Sequence, residues 1–279
     1  MFLIKRKPIV AVVEIHGTIG TKIKDSTYSR VLDGIAKNKR YGALVLDIDS
    51  PGGSATGSDL LYHSIKRVSA SKPVVAYIRG LGASGGYYLG CAANQIVSLP
   101  TALVGSIGVI HIRPIIEQLL NKVGVEISVF KEGYLKDMSG FWRSPTDEES
   151  DKFQSLLNEM YETFVKVVSD GRNMNRDQVL TLATGELYTA QKGYETGLVD
   201  VLADFQRSIE IAAELGESKP TPKWIRPKKT FSARMMGRES TSMNILANGI
   251  NQLTSGGIYY LDPGHILGCL LYTSDAADE

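Results

Sequence analysis

The chain has 279 residues, 43% of them hydrophobic and 22% charged, a balance that supplies a sizeable core and excludes wholesale disorder. With 31 Lys and Arg against 30 Asp and Glu, the net charge of +1 provides no overall positive field to draw nucleic acid without regard to sequence. Two distant cysteines, Cys91 and Cys269, support neither a disulfide framework nor a cysteine-rich zinc site, and no uncharged apolar run reaches the roughly 18 residues of a membrane span.

The first residues, Met1 to Pro8, place their charges after a short apolar start, the reverse of a secretory signal. Apolar, β-branched runs follow at Ile9 to Ile15, Ala43 to Ile48, Pro73 to Ile78, Gln95 to Leu99 and Val125 to Phe130, which predict strands. Helical patterns lie between them over Ser29 to Lys37, Asp59 to Ser69, Gly85 to Ala93 and Pro114 to Val123. Strands that alternate with helices predict an α/β domain with a mostly parallel buried sheet and outer helices. Thr146 and Glu149 form a capping box that opens a long amphipathic helix, with Phe153, Leu156, Leu157, Met160, Phe164, Val167 and Val168 at helical spacing. Shorter helices are predicted over Arg176 to Thr184, Thr189 to Thr196 and Asp204 to Leu215. The proline- and lysine-rich stretch from Glu217 to Thr230 reads as a solvated linker, so a catalytic domain over 8–216 is expected, then a linker and extension over 217–268. Residues 269–279 resemble the translation of a transposase sequencing adapter and are read as a non-native tail.

Chemistry concentrates at Gly80-Leu-Gly-Ala-Ser-Gly-Gly86. The glycine spacing fits a dinucleotide loop, but the acid expected about 20 residues further on to hold a ribose is missing. The same residues fit a nucleophile elbow around Ser84, whose small neighbours permit a sharp turn that lifts the hydroxyl clear of the sheet. A serine nucleophile needs a base. His16 and His63 precede it, His265 borders the tail, and His111 sits in an apolar, strand-like setting that suits a structural histidine, which makes a Ser-His-Asp arrangement weak. A neutral lysine can serve instead if burial lowers its pKa from about 10.4, and Lys122, Lys131 and Lys136 all qualify by position.

Five motifs occur in order: the first strand Val-Ala-Val-Val-Glu-Ile-His-Gly-Thr-Ile, Asp49-Ser-Pro-Gly-Gly53, Gly82-Ala-Ser-Gly-Gly-Tyr-Tyr88, Gly105-Ser-Ile-Gly-Val109 and Gly133-Tyr-Leu-Lys-Asp-Met138. In these the chain, from Pro8 to about Ala213, resembles the S49 family of serine proteases, the signal peptide peptidase A group of the ClpP/crotonase superfamily. The resemblance implies a ClpP/crotonase-like superhelix of repeated ββα units. It also implies Ser84 as nucleophile, Lys136 as general base, Ser106 as the hydroxyl that orients the lysine, and an oxyanion hole of Gly52 and Gly53 with the Gly85 N–H. Lys131 then becomes the control.

The implied activity is a serine endopeptidase that cleaves remnant signal peptides or other short unfolded apolar peptides through an acyl-enzyme, with no metal or nucleotide cofactor. The implied partners are peptides and further copies of the chain in a ring whose sites neighbouring subunits complete. Group members commonly carry a membrane anchor, so a place at the membrane periphery is open and the compartment is not fixed. The Gly140-Phe-Trp-Arg143 segment is expected as a lid, an interface loop or an inward-packed surface loop. Two other readings share the scaffold: a crotonase-like acyl-CoA enzyme, indifferent to the loss of Ser84, and a catalytically silent scaffold protein.

Overall fold

The strand at Ile9–His16 (β1) shows how alternation decides the architecture: Val10 and Val12 enter one apolar cluster, and Ala11, Val13 and Ile15 enter the other. A strand buried on both faces reads as a continuous apolar run. The computed structural model describes residues 7–227 and 258–261. After β1 come α1 (Asp25–Lys37), β2 (Tyr41–Ser50), β3 (Gly52–Ser54), α2 (Ala55–Ser69), β4 (Val74–Ala83), α3 (Gly85–Gly90), β5 (Gln95–Ser98), β6 (Leu103–Gly105) and β7 (Ile110–His111). They are followed by α4 (Glu117–Lys122), α5 (Asp147–Arg172), α6 (Arg176–Leu182), β8 (Leu187–Thr189), α7 (Ala190–Glu195), β9 (Val201–Leu202), α8 (Phe205–Leu215), β10 (Lys219–Trp224) and β11 (Ile258–Leu261).

The main sheet runs β10-β1-β2-β4-β5-β9, all parallel, while β6 pairs parallel with β4 and antiparallel with β8. One face packs Ala43, Val45, Val75 and Val97 against Ile209, Ala212 and Ala213 of α8. The other packs Leu44, Leu46, Ile48, Ala76 and Ile78 beneath α1, α2, α3 and the second half of α5. A smaller sheet, β3-β11-β7, is antiparallel and covers the end of the main sheet where β2 and β4 finish. This is the mixed α/β, mostly parallel arrangement expected.

Two expectations fail, each for a physical reason. Val125 to Phe130 has strand-like alternation yet pairs with nothing among the described residues and is exposed throughout, because no neighbouring edge reaches it. The stretch read as a solvated linker contains β10, which adds a strand beside β1: Lys219 N–H donates to Pro8 O at 2.8 Å and Ile225 N–H to Val12 O at 2.8 Å. Pro220 and Pro222 fall at alternate positions whose missing N–H faces the open side, which only an edge strand tolerates. Of the 217–268 extension only these residues and β11 are described, and the suspected tail at 269–279 lies outside the described residues.

Helix α5 starts with the expected capping box: Thr146 Oγ1 accepts from Glu149 N–H at 3.2 Å, and Glu149 Oε2 accepts from Thr146 N–H at 2.9 Å. No helix among the described residues is long and apolar enough to cross a membrane.

Candidate active site

Ser84 stands where β4 ends and α3 begins, with φ 51° and ψ −116°. A serine rarely adopts positive φ, and such strain persists only where its surroundings impose it. Here Ser84 N–H donates to Gly105 O at 2.7 Å, and Tyr88 N–H donates to Ser84 O at 2.8 Å, so β6 and the first turn of α3 fix both sides of the elbow. The residue after it must be small, since a Cβ on Gly85 would lie 2.5 Å from Ser58 Oγ.

Ser106 follows β6 in the same way, with φ 49° and its N–H bonded to Glu186 O at 2.7 Å. Ser84 and Ser106 open onto one cavity of about 270 Å³. Its walls come from Ile107–Ile110, from Tyr161 of α5 and from the Ala183–Gly185 turn, which the Tyr161 hydroxyl fastens by donating to Ala183 O at 2.7 Å. The sequence reading missed Tyr161 and the Ala183–Gly185 turn, since neither carries catalytic chemistry of its own.

The Asp49-Ser-Pro-Gly-Gly53 turn reaches the elbow from β2. Asp49 Oδ1 accepts from Leu81 N–H at 3.0 Å, and Ser50 Oγ donates to Gly17 O at 2.7 Å, which brace the turn against β4 and the end of β1. Gly52, at φ 97°, brings its backbone so close to the elbow that a Cβ there would meet Gly85 N at 2.7 Å. Gly52 N–H donates to Ser50 Oγ at 3.2 Å, so as an oxyanion donor it must give up that bond. Gly85 N–H opens α3 beside the same gap and needs no such exchange with Ser50.

Beneath the turn, Asp47 is fully buried and takes two hydrogen bonds from Arg79, at 3.1 and 2.6 Å. His16 Nε2 stands 3.5 Å from Asp47 Oδ2, too long for a strong hydrogen bond. Burial alone would raise the Asp47 carboxyl; the interactions with His16 and Arg79 outweigh it and hold the group below its ordinary value.

The lysines part company here. Lys131 donates to Tyr134 O at 2.8 Å and is paired with Asp137, which Arg143 also holds. The Lys136 side chain is exposed, lines no wall of the Ser84 cavity, and its ammonium has no hydrogen bond or ion pair among the described residues. Lys122, at the end of α4, is exposed as well. One copy of the chain therefore brings together Ser84, Ser106, Gly52, Gly53 and Gly85 and leaves Lys136 outside. His111 behaves as a packing residue, its ring flat on Phe153 at 4.6 Å. In the Gly140–Arg143 segment Trp142 folds back over Gly140, and Arg143 grips the buried Glu149, so the loop packs inward.

Beside the elbow lies an aromatic cluster. Tyr88, buried, donates to Asp59 Oδ1 at 2.7 Å and meets Tyr62 and Phe164 edge-on at 5.2 and 5.0 Å. Burial and the Asp59 carboxylate push the Tyr88 phenol far up, so it remains a donor at any physiological pH.

The family model for peptidase family S49 matches residues 66–219, more than half of the chain. The protein slr0021 of Synechocystis sp., named as a protease, is 34% identical over 244 residues, covering 86% of this chain and 87% of its own length. The chloroplastic serine protease SPPA of Arabidopsis thaliana is 30% identical over 240 residues, and Protease 4 of Salmonella typhi is 32% identical over 210. The chain spans 34% of each of those two longer proteins. A solved structure, the 1510-N membrane-bound stomatin-specific protease, superimposes with a TM-score of 0.51 at 18% identity, over 80% of this chain and 99% of that one, which establishes a shared ClpP-like fold. The family model and the match to slr0021 along nearly its whole length agree, and the chain belongs to peptidase family S49, a family of serine-type peptidases.

Proposed function

We propose that this protein is an endopeptidase in which Ser84 attacks the peptide carbonyl and Lys136, supplied by a neighbouring copy, is the general base. The observation that carries the reading is the split just described: a strained, fully supported serine with candidate backbone donors beside it, and a matching lysine held away from it on an exposed loop. The segment that bears Lys136 also exposes Ile115, Leu119, Val123, Phe130 and Tyr134, and Phe130 is 96% exposed. Apolar surface of this extent on a soluble domain suits burial against a second copy. A heterologous contact repeated around an axis closes a ring.

In the proposed reaction the lysine amine takes the Ser84 proton as Oγ bonds to the carbonyl carbon, and backbone N–H groups at Gly85 and the Gly52-Gly53 turn receive the oxyanion. Collapse expels the amine, to which the lysine returns the proton, and water then hydrolyses the ester. Ser106, on the wall of the same cavity, accepts a hydrogen bond from the incoming neutral amine and orients its lone pair toward Ser84. Only a neutral lysine accepts a proton, so the rate rises toward alkaline pH. The substrate class is short unfolded apolar peptide, remnant signal peptides included, bound as an added strand whose backbone supplies affinity and whose side chains fill pockets.

Complementation tests the reading. Ser84→Ala and Lys136→Ala, each inactive alone on an apolar signal-like peptide, regain activity when assembled together, to roughly a quarter of the wild-type rate if copies mix at random around a closed ring. Lys131→Ala remains active. A mixture that stays inactive although the two variants co-assemble sinks the shared site.

A further inference from the structure

Two neighbours on the exposed loop differ sharply: Lys136 faces solvent, whereas the Asp137 side chain is only 9% exposed. Asp137 Oδ2 accepts from Arg143 Nε at 3.2 Å. The same guanidinium donates to both carboxylate oxygens of Glu149, at 2.8 and 2.5 Å, and Glu149 is itself buried in the capping box that opens α5. A line of charge-assisted hydrogen bonds thus runs from the residue beside Lys136 to the first turn of α5, whose later residues Phe164, Val165 and Val168 are buried in the core. The backbone is fastened at the same place: Lys136 N–H closes a turn on Gly133 O at 2.9 Å, Gly140 N–H closes one on Asp137 O at 2.8 Å, and the Arg113 guanidinium donates to Met138 O. Lys131 also touches Asp137, but its other bond is to Tyr134 O on the same exposed arm, so it ties Asp137 to nothing fixed.

A base delivered from one copy to the serine of another must arrive in one place, since a misplacement of about 1 Å can cost about 100-fold in rate. A lysine on a free loop would have to be ordered for each turnover, at the entropic cost of a long side chain and its backbone. We propose that Asp137 is a positioning residue, which acts through Arg143 and Glu149 to fix the turn that bears Lys136 onto α5, so that the amine is presented to the neighbouring copy's Ser84 in a single geometry. The proposal rests on the shared-site reading above. Asp137 touches no peptide and takes no proton; the reaction steps are those already given. Its burial fits the role, because an exposed ion pair is screened and holds no fixed geometry, whereas a shielded carboxylate in a guanidinium's grip does.

On this account the effect of Asp137 travels with the lysine. It matters in the copy that gives Lys136 and is silent in the copy that gives Ser84, which a general role in folding or assembly cannot imitate. Loss of the clamp lowers kcat and leaves KM unchanged, because the peptide binds at the cleft beside Ser84 and not at the arm's root.

Mixed assemblies of the full chain test this on an apolar signal-like peptide, with Ser84→Ala plus Lys136→Ala as the parent mixture. Asp137→Ala added to the Ser84→Ala chain, which supplies the lysine, lowers kcat of the mixture by about 10- to 100-fold at unchanged KM. Asp137→Ala added instead to the Lys136→Ala chain, which supplies the serine, leaves the parent rate. Arg143→Leu in place of Asp137→Ala gives the same asymmetry, and sedimentation shows assemblies of one size throughout. Equal loss in both placements, no loss in either, loss confined to the serine-giving chain, or a fall accounted for by lost assembly overturns the proposal and leaves the shared site intact. A parent mixture that stays inactive although its chains co-assemble overturns both.

Discussion

From Gly82 to Ala92 every residue is buried, and the elbow's backbone is tied to β6 and α3; from Asn121 to Tyr134 every residue is exposed, and Val125 to Phe130 pairs with no strand among the described residues. The first stretch holds Ser84 and the second leads directly to Lys136. Strain at a nucleophile can be maintained only by a rigid surround, whereas a base brought by another copy needs a projecting surface with apolar contacts to spend on that copy. On the proposed reading, a single chain builds the nucleophile and its donors but not the base.

The largest expected effect tests the rigid side. Ser84→Ala lowers peptide cleavage by about 10⁴-fold or more while thermal stability stays near wild type, read by initial rates and by calorimetry. The next tests the projecting side. Phe130→Asp abolishes activity by preventing assembly, yet changes monomer stability by no more than about 0.5 kcal/mol, since the site is exposed. Sedimentation shows smaller species. Assembly and activity both unchanged in Phe130→Asp break the comparison. Phe164→Ala gives the opposite pattern: it empties a fully buried site between Tyr88 and Tyr260 and costs about 3–5 kcal/mol in denaturant unfolding.

The same contrast explains what was legible in the sequence. β1, β2 and β4 were readable because both faces are buried and the residues say so at every position, and α5 because Thr146 and Glu149 announce its start. Ser84 was readable because small residues must flank a strained elbow. Val125 to Phe130 carries strand chemistry without a strand, since alternation records the wish for a partner edge, not its presence. β10 was hidden by prolines that an edge strand can hold. β3, β7 and β11 are too short to show a period, and the fit of Tyr260 into the Tyr88 pocket depends on a pairing across about 200 residues of chain, which no local pattern encodes.

The smallest effects concern pH, and they again separate the two regions. On the arm side, the Glu149 carboxyl is held down to about 2, first by Arg143 and then by the Thr146 N–H. Its folded value lies below the ordinary 4.5, so the stabilisation is complete above that pH and fades as the pH falls toward 2. Acid therefore loosens the start of α5 and the loop leading from Lys136, seen as faster amide exchange there; Arg143→Leu shows that looseness already at neutral pH. Under the elbow the sign reverses. His16 is raised above 6.5, chiefly by Asp47, so its contribution is complete below 6.5 and fades as the pH climbs through its folded value. Since His16 is a third exposed and its contact is long, that contribution is about 1 kcal/mol or less. His16→Gln should flatten the stability profile between pH 6 and 8 without altering the alkaline rise in cleavage that the proposed mechanism assigns to the lysine; a rise that disappeared with His16 would move the base from the arm to the core.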